Sequence, residues 1–278
     1  MEKKITLTAH RGWRGKYPEN TMRGFVEALK LDIDSIEMDV HMTKDHRIVV
    51  CHDGALDRTT DKKGMIREMT LEEVREADAG IRFGEEFKGE KIPTFEEFLA
   101  LMATRPDVRL LLELKDYPEE VGDFAYASAS LALSLCKEYG IFGRERLTVV
   151  TFSTGICAWL RARYEKEDFY IHGFYPKALM RGSERDEPYK YYDEVCIFNH
   201  GDKDAMGFPI KHDTPVADRE VFAQFELMGI KPCVYYKLNV DEAVHRAAIE
   251  NGALGFTSDY PDICAEMLDC MGVRPFKK

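Results

Sequence analysis

Residues 35–52 read SIEMDVHMTKDHRIVVCH and contain two β-rich runs, Ser35–Val40 and Ile48–Cys51. The segment between the runs is shorter than the crossover of about a dozen residues that joins parallel strands. We therefore predict an antiparallel hairpin at this point. Such a hairpin would bring His52 back roughly opposite Asp39 and place a histidine beside the carboxylates of the first run.

The rest of the chain alternates between β-rich runs and helical stretches. Most runs are separated by a stretch long enough to be the helix between two parallel strands. The other runs are 5–9, 108–114, 147–152, 169–174, 194–198, 232–236 and 254–257, and the helical stretches are 21–31, 71–77, 94–102, 121–138, 154–164, 218–227 and 240–250. With the hairpin counted once, eight parallel strands remain, which predicts a (β/α)8 TIM barrel of the α/β class.

The length of 278 residues fits one barrel domain over residues 1–278, because single α/β barrels commonly occupy about 250 residues. Residues 54–91, directly after the hairpin, are polar and contain several glycines. We interpret them as a small inserted subdomain. Insertions at the catalytic face of a barrel often act as lids, and we predict a lid segment here.

Composition excludes several other classes of protein. The 39 Lys and Arg residues against 50 Asp and Glu residues give a formal charge of −11, and without a basic run this charge disfavours a nucleic-acid partner. The seven cysteines include no C-x-x-C pair, which favours free thiols in a reducing compartment. No apolar run approaches a signal-peptide core or a membrane span. We expect a cytoplasmic protein without stable membrane insertion.

Polar residues recur at the ends of the predicted strands, where barrel enzymes hold their catalytic groups. Glu37 and Asp39 are two residues apart, so on a strand both point to the same side, and Glu113 from another strand can complete an oxygen-rich site. A carboxylate pair of this spacing is often only solvent-facing. In this context we interpret the three as ligands of a divalent cation, Mg²⁺ or Ca²⁺ rather than Zn²⁺.

Besides these carboxylates, two histidines and two positively charged residues are candidate site residues. His10 and His52 could act as general acid and base, because imidazole titrates near neutral pH, although either histidine alone would more often be structural. Arg11 offers a planar fork of donors to a phosphate, or else forms a salt bridge with a neighbouring carboxylate. Lys115 lies two residues after Glu113, so its ammonium could also reach a phosphate oxygen.

Ordered motifs across nearly the whole chain carry a family resemblance. They are His10-Arg11-Gly12, Pro18-Glu19-Asn20-Thr21, Glu37-Met38-Asp39-Val40, Thr43-Lys44-Asp45, His52-Asp53, Ile92-Pro93-Thr94-Phe95, Glu113-Leu114-Lys115 and Ser258-Asp259-Tyr260-Pro261-Asp262. In this order the motifs resemble the glycerophosphodiester phosphodiesterase family. The resemblance implies a barrel with an inserted subdomain, and hydrolysis of deacylated phospholipids to an alcohol and sn-glycerol 3-phosphate.

The resemblance also implies roles for individual residues. The matching positions make Glu37, Asp39 and Glu113 metal ligands, His10 and His52 the acid/base pair, and Arg11 and Lys115 phosphate contacts. Two positions depart from the family: Tyr236 stands where a tryptophan is usual, and Thr151-Phe152 where Ser-Phe is frequent. We expect Phe152 and Tyr236 to line the substrate pocket.

Neighbouring polar residues have structural interpretations. We expect Asn20 and Thr21 to cap the following helix, and Glu19 remains open because it could reach the metal. Asp259 is expected to brace the end of the barrel or cap a helix. Ser153 lacks a Gly-x-Ser-x-Gly elbow, which disfavours a serine hydrolase. The histidines expected to be structural or solvated are His41, which should face away from Asp39, His46 in the turn, His172, His200, His212 and His245.

Three functions fit these patterns. The first is hydrolysis of a small glycerophosphodiester, with water or the glycerol 2-hydroxyl as nucleophile. The second is a related barrel phospholipase, similar to sphingomyelinase D, which acts on a lipid and would carry exposed aromatic loops. The third is a non-catalytic barrel that binds a phosphorylated ligand. The sequence leaves open the head group, the choice of cation and the oligomeric state.

Overall fold

A computed structural model describes residues 5–182, 187–197, 219–236 and 240–274. One sheet contains all nine strands of these residues. The strands, numbered in chain order, are β1 Thr6–Ala9, β2 Ser35–Met42, β3 Ile48–Val50, β4 Arg109–Leu114, β5 Leu147–Val150, β6 Tyr170–Tyr175, β7 Glu194–Ile197, β8 Lys231–Tyr236 and β9 Gly255–Ser258.

The sheet closes on itself, because β1 pairs in parallel with both β2 and β9. Eight strands are parallel, and β3 adds to β2 as an antiparallel partner, with Val40 opposite Val50 and Met42 opposite Ile48. The (β/α)8 barrel and the hairpin are thus confirmed. The backbone N–H of Cys51 donates to the carbonyl oxygen of Asp39 at 3.0 Å, so His52 lies one residue beyond the position opposite Asp39.

Helices cover the outside of the barrel in the described part of the chain. They are α1 Met22–Ala28, α2 Leu71–Arg75, α3 Phe95–Ala103, α4 Pro118–Val121, α5 Asp123–Glu138, α6 Thr154–Arg163, α7 Arg219–Leu227, α8 Glu242–Asn251 and α9 Pro261–Cys270. Thr94 starts α3 with a reciprocal capping box to Glu97, which satisfies two helix-end donors. Between β6 and β7 the described residues form only the short 3-10 turns Lys177–Leu179 and Pro188–Tyr191.

The strands bury side chains on both of their faces, as a parallel barrel requires. Outward-facing residues join the helices in the main core, and an inner apolar layer is formed by Leu111, Val150, Phe174 and Cys196. Glu194 lies within 3.5 Å of both Arg109 and Lys231 in a buried ion-pair network inside the barrel. The interior is therefore a packed core rather than a channel.

Residues 54–91 have a small core of their own. Leu56, Ile66, Val74 and Ala77 of this segment are buried together with Val49 and Cys51 of the hairpin and with the following Ile92. The short elements of this segment are the 3-10 turns Ile66–Glu68 and Glu85–Phe87 and helix α2. The insertion is therefore packed onto the barrel through the hairpin, and its function as a lid stays a prediction.

The structure bears on two expectations from the sequence, one about the cysteines and one about membrane-spanning helices. All seven cysteines are free, and six of them are buried. Across the described ranges, we find no helix of the length and apolarity needed to cross a membrane.

Shortening Ile66 to alanine should destabilise the insertion. The side chain is completely buried, so its loss removes transfer free energy and leaves a cavity, at a cost of about 2–4 kcal/mol. Val26→Ala is the matched control, because Val26 is exposed on α1 and its loss should change the free energy of unfolding by about 0.5 kcal/mol or less. Urea unfolding and limited proteolysis measure both variants. Equal midpoints for the two would contradict the packing described here.

Candidate active site

Three carboxylates meet at the C-terminal ends of β2 and β4. Glu37 and Asp39 project from the same face of β2, and Glu113 lies beside Asp39 in the parallel register of β4. One oxygen atom from each carboxylate lies within 4.8 Å of the others, and all three residues are buried. The structure thus brings together the three residues that the sequence predicts as metal ligands.

The charges of this cluster are only partly compensated by the protein. Burial and the neighbouring charges of Asp39 and Glu113 raise the pKa of Glu37 well above its usual value. Burial also raises the pKa of Glu113. For Asp39 burial acts in the same direction, but the guanidinium of Arg11 and other nearby positive charges hold its pKa below the usual value.

Two oxygen atoms of the cluster are buried without a hydrogen-bond donor from the described residues, Oε1 of Glu37 and Oδ1 of Asp39. Buried carboxylate oxygens normally have a donor or a cation as partner. Mg²⁺ and Ca²⁺ prefer oxygen ligands. The donor set of Glu37, Asp39 and Glu113 therefore fits a hard divalent cation.

Arg11 connects the cluster to the loop after β1. Its backbone N–H donates to Oε2 of Glu37 at 3.0 Å, and its Nε lies 3.2 Å from Oδ2 of Asp39. Its Nη1 donates to Glu19 at 2.8 Å. The salt bridge that was one of the two expectations for Arg11 is therefore formed.

His10 is held by Asp259, which follows the last strand. Nδ1 of His10 lies 2.6 Å from Oδ1 of Asp259, while Nε2 lies 3.8 Å from Oε2 of Glu37. The Tyr235 ring packs on the imidazole at 4.5 Å, and its hydroxyl lies 3.2 Å from Nδ1. A neutral His10 that donates from Nδ1 to Asp259 presents the lone pair of Nε2 to the carboxylate cluster.

His52 has a similar arrangement next to Lys115. Its Nδ1 lies 2.6 Å from Oδ1 of Asp53, and its Nε2 lies 3.0 Å from Nζ of Lys115, a geometry in which the ammonium donates. Nζ of Lys115 also donates to Glu113 at 2.8 Å. Each imidazole is thus held at Nδ1 by an aspartate, with Nε2 directed toward the charged groups of the site.

Both imidazoles are neutral at neutral pH in this environment. Burial lowers the pKa of His10 to about 4, and the positive charge of Arg11 acts in the same direction. Burial and the charges of Arg11 and Lys115 lower the pKa of His52 to about 3. Neutral imidazoles can accept protons, as a general base must.

The segment before α1 differs in part from the sequence expectation. Thr21 caps α1, since its hydroxyl accepts from the N–H of Gly24. Asn20 is not a cap, and this expectation was wrong: its Nδ2 donates to Oδ2 of Asp39 at 2.8 Å. Asn20 has a φ of 56°, a left-handed backbone that Asn tolerates better than most residues. Glu19, whose role the sequence left open, forms an ion pair with Arg11.

Phe152 lies next to Lys115, and its role as a substrate-pocket residue stays a prediction. Its ring stacks on Phe174 with centroids 3.6 Å apart, and Nζ of Lys115 lies 5.7 Å from its centroid. The Tyr236 side chain lies outside the described residues, so its place in the pocket stays a prediction. The preceding Tyr235 is the β8 residue that contacts His10.

Sequence reasoning missed two supporting interactions. Asp259 was assigned to a barrel end or a helix cap, yet its carboxylate contacts His10. His41 faces Asp116, with Nδ1 at 2.7 Å from its carboxylate, and its Nε2 lies 3.2 Å from the carbonyl oxygen of His52. The sequence signal for Asp259 was its position, because Asp259, like His10, directly follows a strand.

The remaining histidines have separate surroundings. His46 lies in the hairpin turn with a φ of 58°. His172 lies 3.4 Å from the carboxylate of Glu194 inside the barrel, a partner that the sequence did not indicate. His245 is buried on α8. His200 and His212 lie outside the described residues.

Fold and site together define an α/β barrel with a buried carboxylate cluster and two aspartate-held imidazoles. Comparison with known proteins identifies the family. The model of the glycerophosphoryl diester phosphodiesterase family matches residues 10–201, more than half of the chain. The chain belongs to this family, as the ordered motifs indicated.

Curated relatives agree with this assignment. A glycerophosphodiester phosphodiesterase of Caldanaerobacter subterraneus subsp. tengcongensis is 46% identical over 112 residues, which cover 40% of this chain and 46% of the relative. The chain thus matches less than half the length of that relative. A Bacillus subtilis protein, YqiK, whose function is uncharacterized, is 29% identical over 268 residues and is covered over 98% of its length, with 94% of this chain.

Solved structures share the fold. A phosphodiesterase of Oleispira antarctica, in complex with the product sn-glycerol-3-phosphate, has a TM-score of 0.75 and 22% identity, covering 96% of this chain and 97% of its own. A glycerophosphodiester phosphodiesterase of Thermotoga maritima has a TM-score of 0.66 and 22% identity, covering 95% of this chain and 98% of its own.

Replacing Glu37 by glutamine should separate the stability of the site from its response to cations. The change removes one of three mutually repelling buried carboxylates, so without a divalent cation the variant should melt at or above the wild-type temperature. Added Mg²⁺ or Ca²⁺ should stabilise wild type by about 2.7 kcal/mol at a hundred times the dissociation constant, and the variant much less.

Differential scanning calorimetry with and without cation measures this response, and isothermal titration measures the affinity. Glu138→Gln, at an exposed position near the end of α5, is the matched control and should respond as wild type does. An equal cation response of Glu37→Gln and wild type would contradict the assignment of Glu37 as a ligand.

Proposed function

We propose that this protein hydrolyses glycerophosphodiesters to sn-glycerol 3-phosphate and an alcohol, with a divalent cation in the carboxylate cluster. The observation that supports this most strongly is the pair of aspartate-held imidazoles, one 3.8 Å from Glu37 and the other joined to Glu113 through Lys115. Family membership and the product bound to the Oleispira antarctica relative agree with the same chemistry. The substrate is therefore a small molecule.

The proposed reaction needs one proton acceptor and one proton donor. One imidazole removes the proton from the attacking hydroxyl, which belongs to water or to the 2-hydroxyl of the substrate glycerol. The new P–O bond forms as the bond to the alcohol breaks, and the second imidazole protonates the departing oxygen. Attack by water gives sn-glycerol 3-phosphate directly, whereas attack by the 2-hydroxyl gives a cyclic glycerol phosphate that a water molecule must then open at the 2-oxygen. We assign these two roles to Nε2 of His10 and Nε2 of His52.

The imidazole that acts as acid must first gain a proton. In the free protein Lys115 and burial keep the pKa of His52 low. A phosphodiester bound beside Lys115 would bring a negative charge to the same place, and this raises the pKa of a neighbouring imidazole. Binding of the substrate would therefore favour the protonated form that the reaction requires.

The remaining site residues bind and orient the substrate in this proposal. Arg11 and Lys115 direct positive charge toward the position of the phosphate, and Phe152 and Tyr236 line the pocket. Glu37, Asp39 and Glu113 hold the cation, Mg²⁺ or Ca²⁺, which when bound would supply positive charge to the phosphoryl oxygens. The free cysteines support our proposal of a reducing, cytoplasmic location.

The proposal is tested with a set of purified glycerophosphodiesters, Mg²⁺ or Ca²⁺, and a glycerol 3-phosphate dehydrogenase to detect the product. We expect turnover that EDTA abolishes. His10→Ala and His52→Ala should each lower kcat by about 10²-fold or more, the usual contribution of acid or base catalysis. His46→Asn, in the hairpin turn, is the matched control and should retain full activity.

The outcome distinguishes the three candidate functions. A folded, cation-bound protein that turns over no glycerophosphodiester would contradict the proposal. Cleavage of a lysophospholipid in its place would favour the lipid phosphodiesterase. Binding of glycerol 3-phosphate without turnover of either class would favour the non-catalytic barrel.

Asp259→Asn should lower kcat while leaving the affinity for substrate nearly unchanged. The asparagine is similar in shape, but it can turn its amide group toward Nδ1 of His10 and favour the tautomer with the proton on Nε2. We expect a loss in kcat of about 10²-fold. Steady-state kinetics across pH measure it, and Asp262→Asn, on the exposed ion pair with Lys16, is the control.

A further inference from the structure

A cavity of about 440 Å³ opens beside one half of the site. It borders His52 and Lys115 but contains none of the three carboxylates of the cluster. From there it extends between the segment after β4, with Tyr117 and Glu120, and the loop after β6, with Arg181. This volume is in the range of small-molecule sites.

Arg181 occupies the most distinctive position in this cavity. Its guanidinium carbon lies 4.4 Å from the ring centroid of Tyr117, and its Nη1 donates to the carboxylate of Glu120. Its backbone is fixed as well, because its N–H donates to the carbonyl of Phe152 at 2.7 Å and its carbonyl accepts from the N–H of Thr154 at 3.0 Å. The guanidinium of Arg181 thus covers the ring face of Tyr117 and the carboxylate of Glu120.

The other carboxylates of the cavity are also engaged. Asp53 is bound by Arg58 and contacts His52. Asp116 accepts from the hydroxyl of Ser128 at 2.7 Å and from the backbone N–H of Met42 at 2.9 Å. Arg67, from the insertion, adds a second guanidinium to the wall. The carboxylates of the wall are thus engaged, and the guanidinium groups are ion-paired as well, Arg181 with Glu120 and Arg67 with Glu68. A guanidinium has five N–H donors, so each keeps donors that a ligand can use.

We propose that this cavity receives the alcohol half of the diester, and that Arg181 excludes cationic alcohols in favour of polyols and anionic ones. The inference rests on the proposed function. If His52 protonates the departing oxygen, the alcohol must leave on the side of His52, and the cavity lies on that side.

Physical chemistry gives the direction of the preference. A quaternary ammonium group binds best over an aromatic ring or beside a carboxylate, and Arg181 occupies both positions. A second positive charge close to Arg181 and Arg67 is repelled. Hydroxyl, carboxylate and phosphate groups can accept hydrogen bonds from the guanidinium donors. Glycerol or inositol therefore fits this wall, and choline does not.

The test compares kcat/KM for glycerophosphoglycerol and glycerophosphoinositol with that for glycerophosphocholine. Wild type should prefer the polyol substrates. Arg181→Gln should shift the ratio toward glycerophosphocholine by about fivefold or more, whereas Arg181→Lys should retain most of the preference because it keeps the charge. Adding Glu120→Gln to Arg181→Gln should cancel much of the gain for glycerophosphocholine, because a neutral amide then replaces the carboxylate that Arg181 no longer covers.

Arg163→Gln is the matched control, because Arg163 also lies over an aromatic ring, that of Trp159 at 4.8 Å, on the exposed end of α6. It should leave the ratio unchanged. A measurement on wild type alone gives an independent check: high ionic strength screens half-exposed charges and should raise the relative rate for glycerophosphocholine.

The outcomes separate this inference from the proposed function. The role of Arg181 would be overturned if all the diesters are turned over and neither Arg181→Gln nor salt changes the ratio of kcat/KM values by more than twofold. This result would leave the proposed function intact. Absence of turnover with every diester would overturn the proposed function itself.

Discussion

Mutual repulsion among three buried carboxylates is the constraint on which the rest of the site depends. The parallel register of β2 and β4 fixes Asp39 beside Glu113, and strand alternation places Glu37 on the same face. The backbone therefore imposes the cluster regardless of its electrostatic cost. Arg11 and Lys115 contact these carboxylates. A buried charge without a partner is strongly destabilising, so the fold needs both of these positively charged side chains.

Burial is the main cause of the low pKa values of the imidazoles, and the side chains of Arg11 and Lys115 add to it. Arg11 lowers the pKa of both His10 and His52, and Lys115 lowers that of His52. The groups that stabilise the carboxylate cluster thus also keep the imidazoles neutral and able to accept protons. One electrostatic network therefore joins the proposed metal ligands to the imidazoles of the proposed proton transfers, and a change in Arg11 or Lys115 should alter both.

The sequence predicted those parts of the molecule that depend on local spacing. A short connection required the hairpin, and alternation required Glu37 and Asp39 to share a face. Contacts between distant residues were not predictable in this way, because Asp259 meets His10 across 249 positions only when the barrel closes. The contact of Tyr235 with His10 was not predictable for the same reason, because 225 positions separate the two residues.

The insertion is joined to the chemistry of the site by Arg58. This residue donates to Asp53, the partner of His52, and to Glu19, the partner of Arg11. A single exposed ion pair contributes about 0–1 kcal/mol, but Arg58 shares both of its carboxylates with groups of the site. Displacing the insertion would leave Asp53 and Glu19 with fewer donors and would loosen the hold on His52. Because the insertion also supplies Arg67 to the cavity wall, its position would affect both this wall and the aspartate that holds His52.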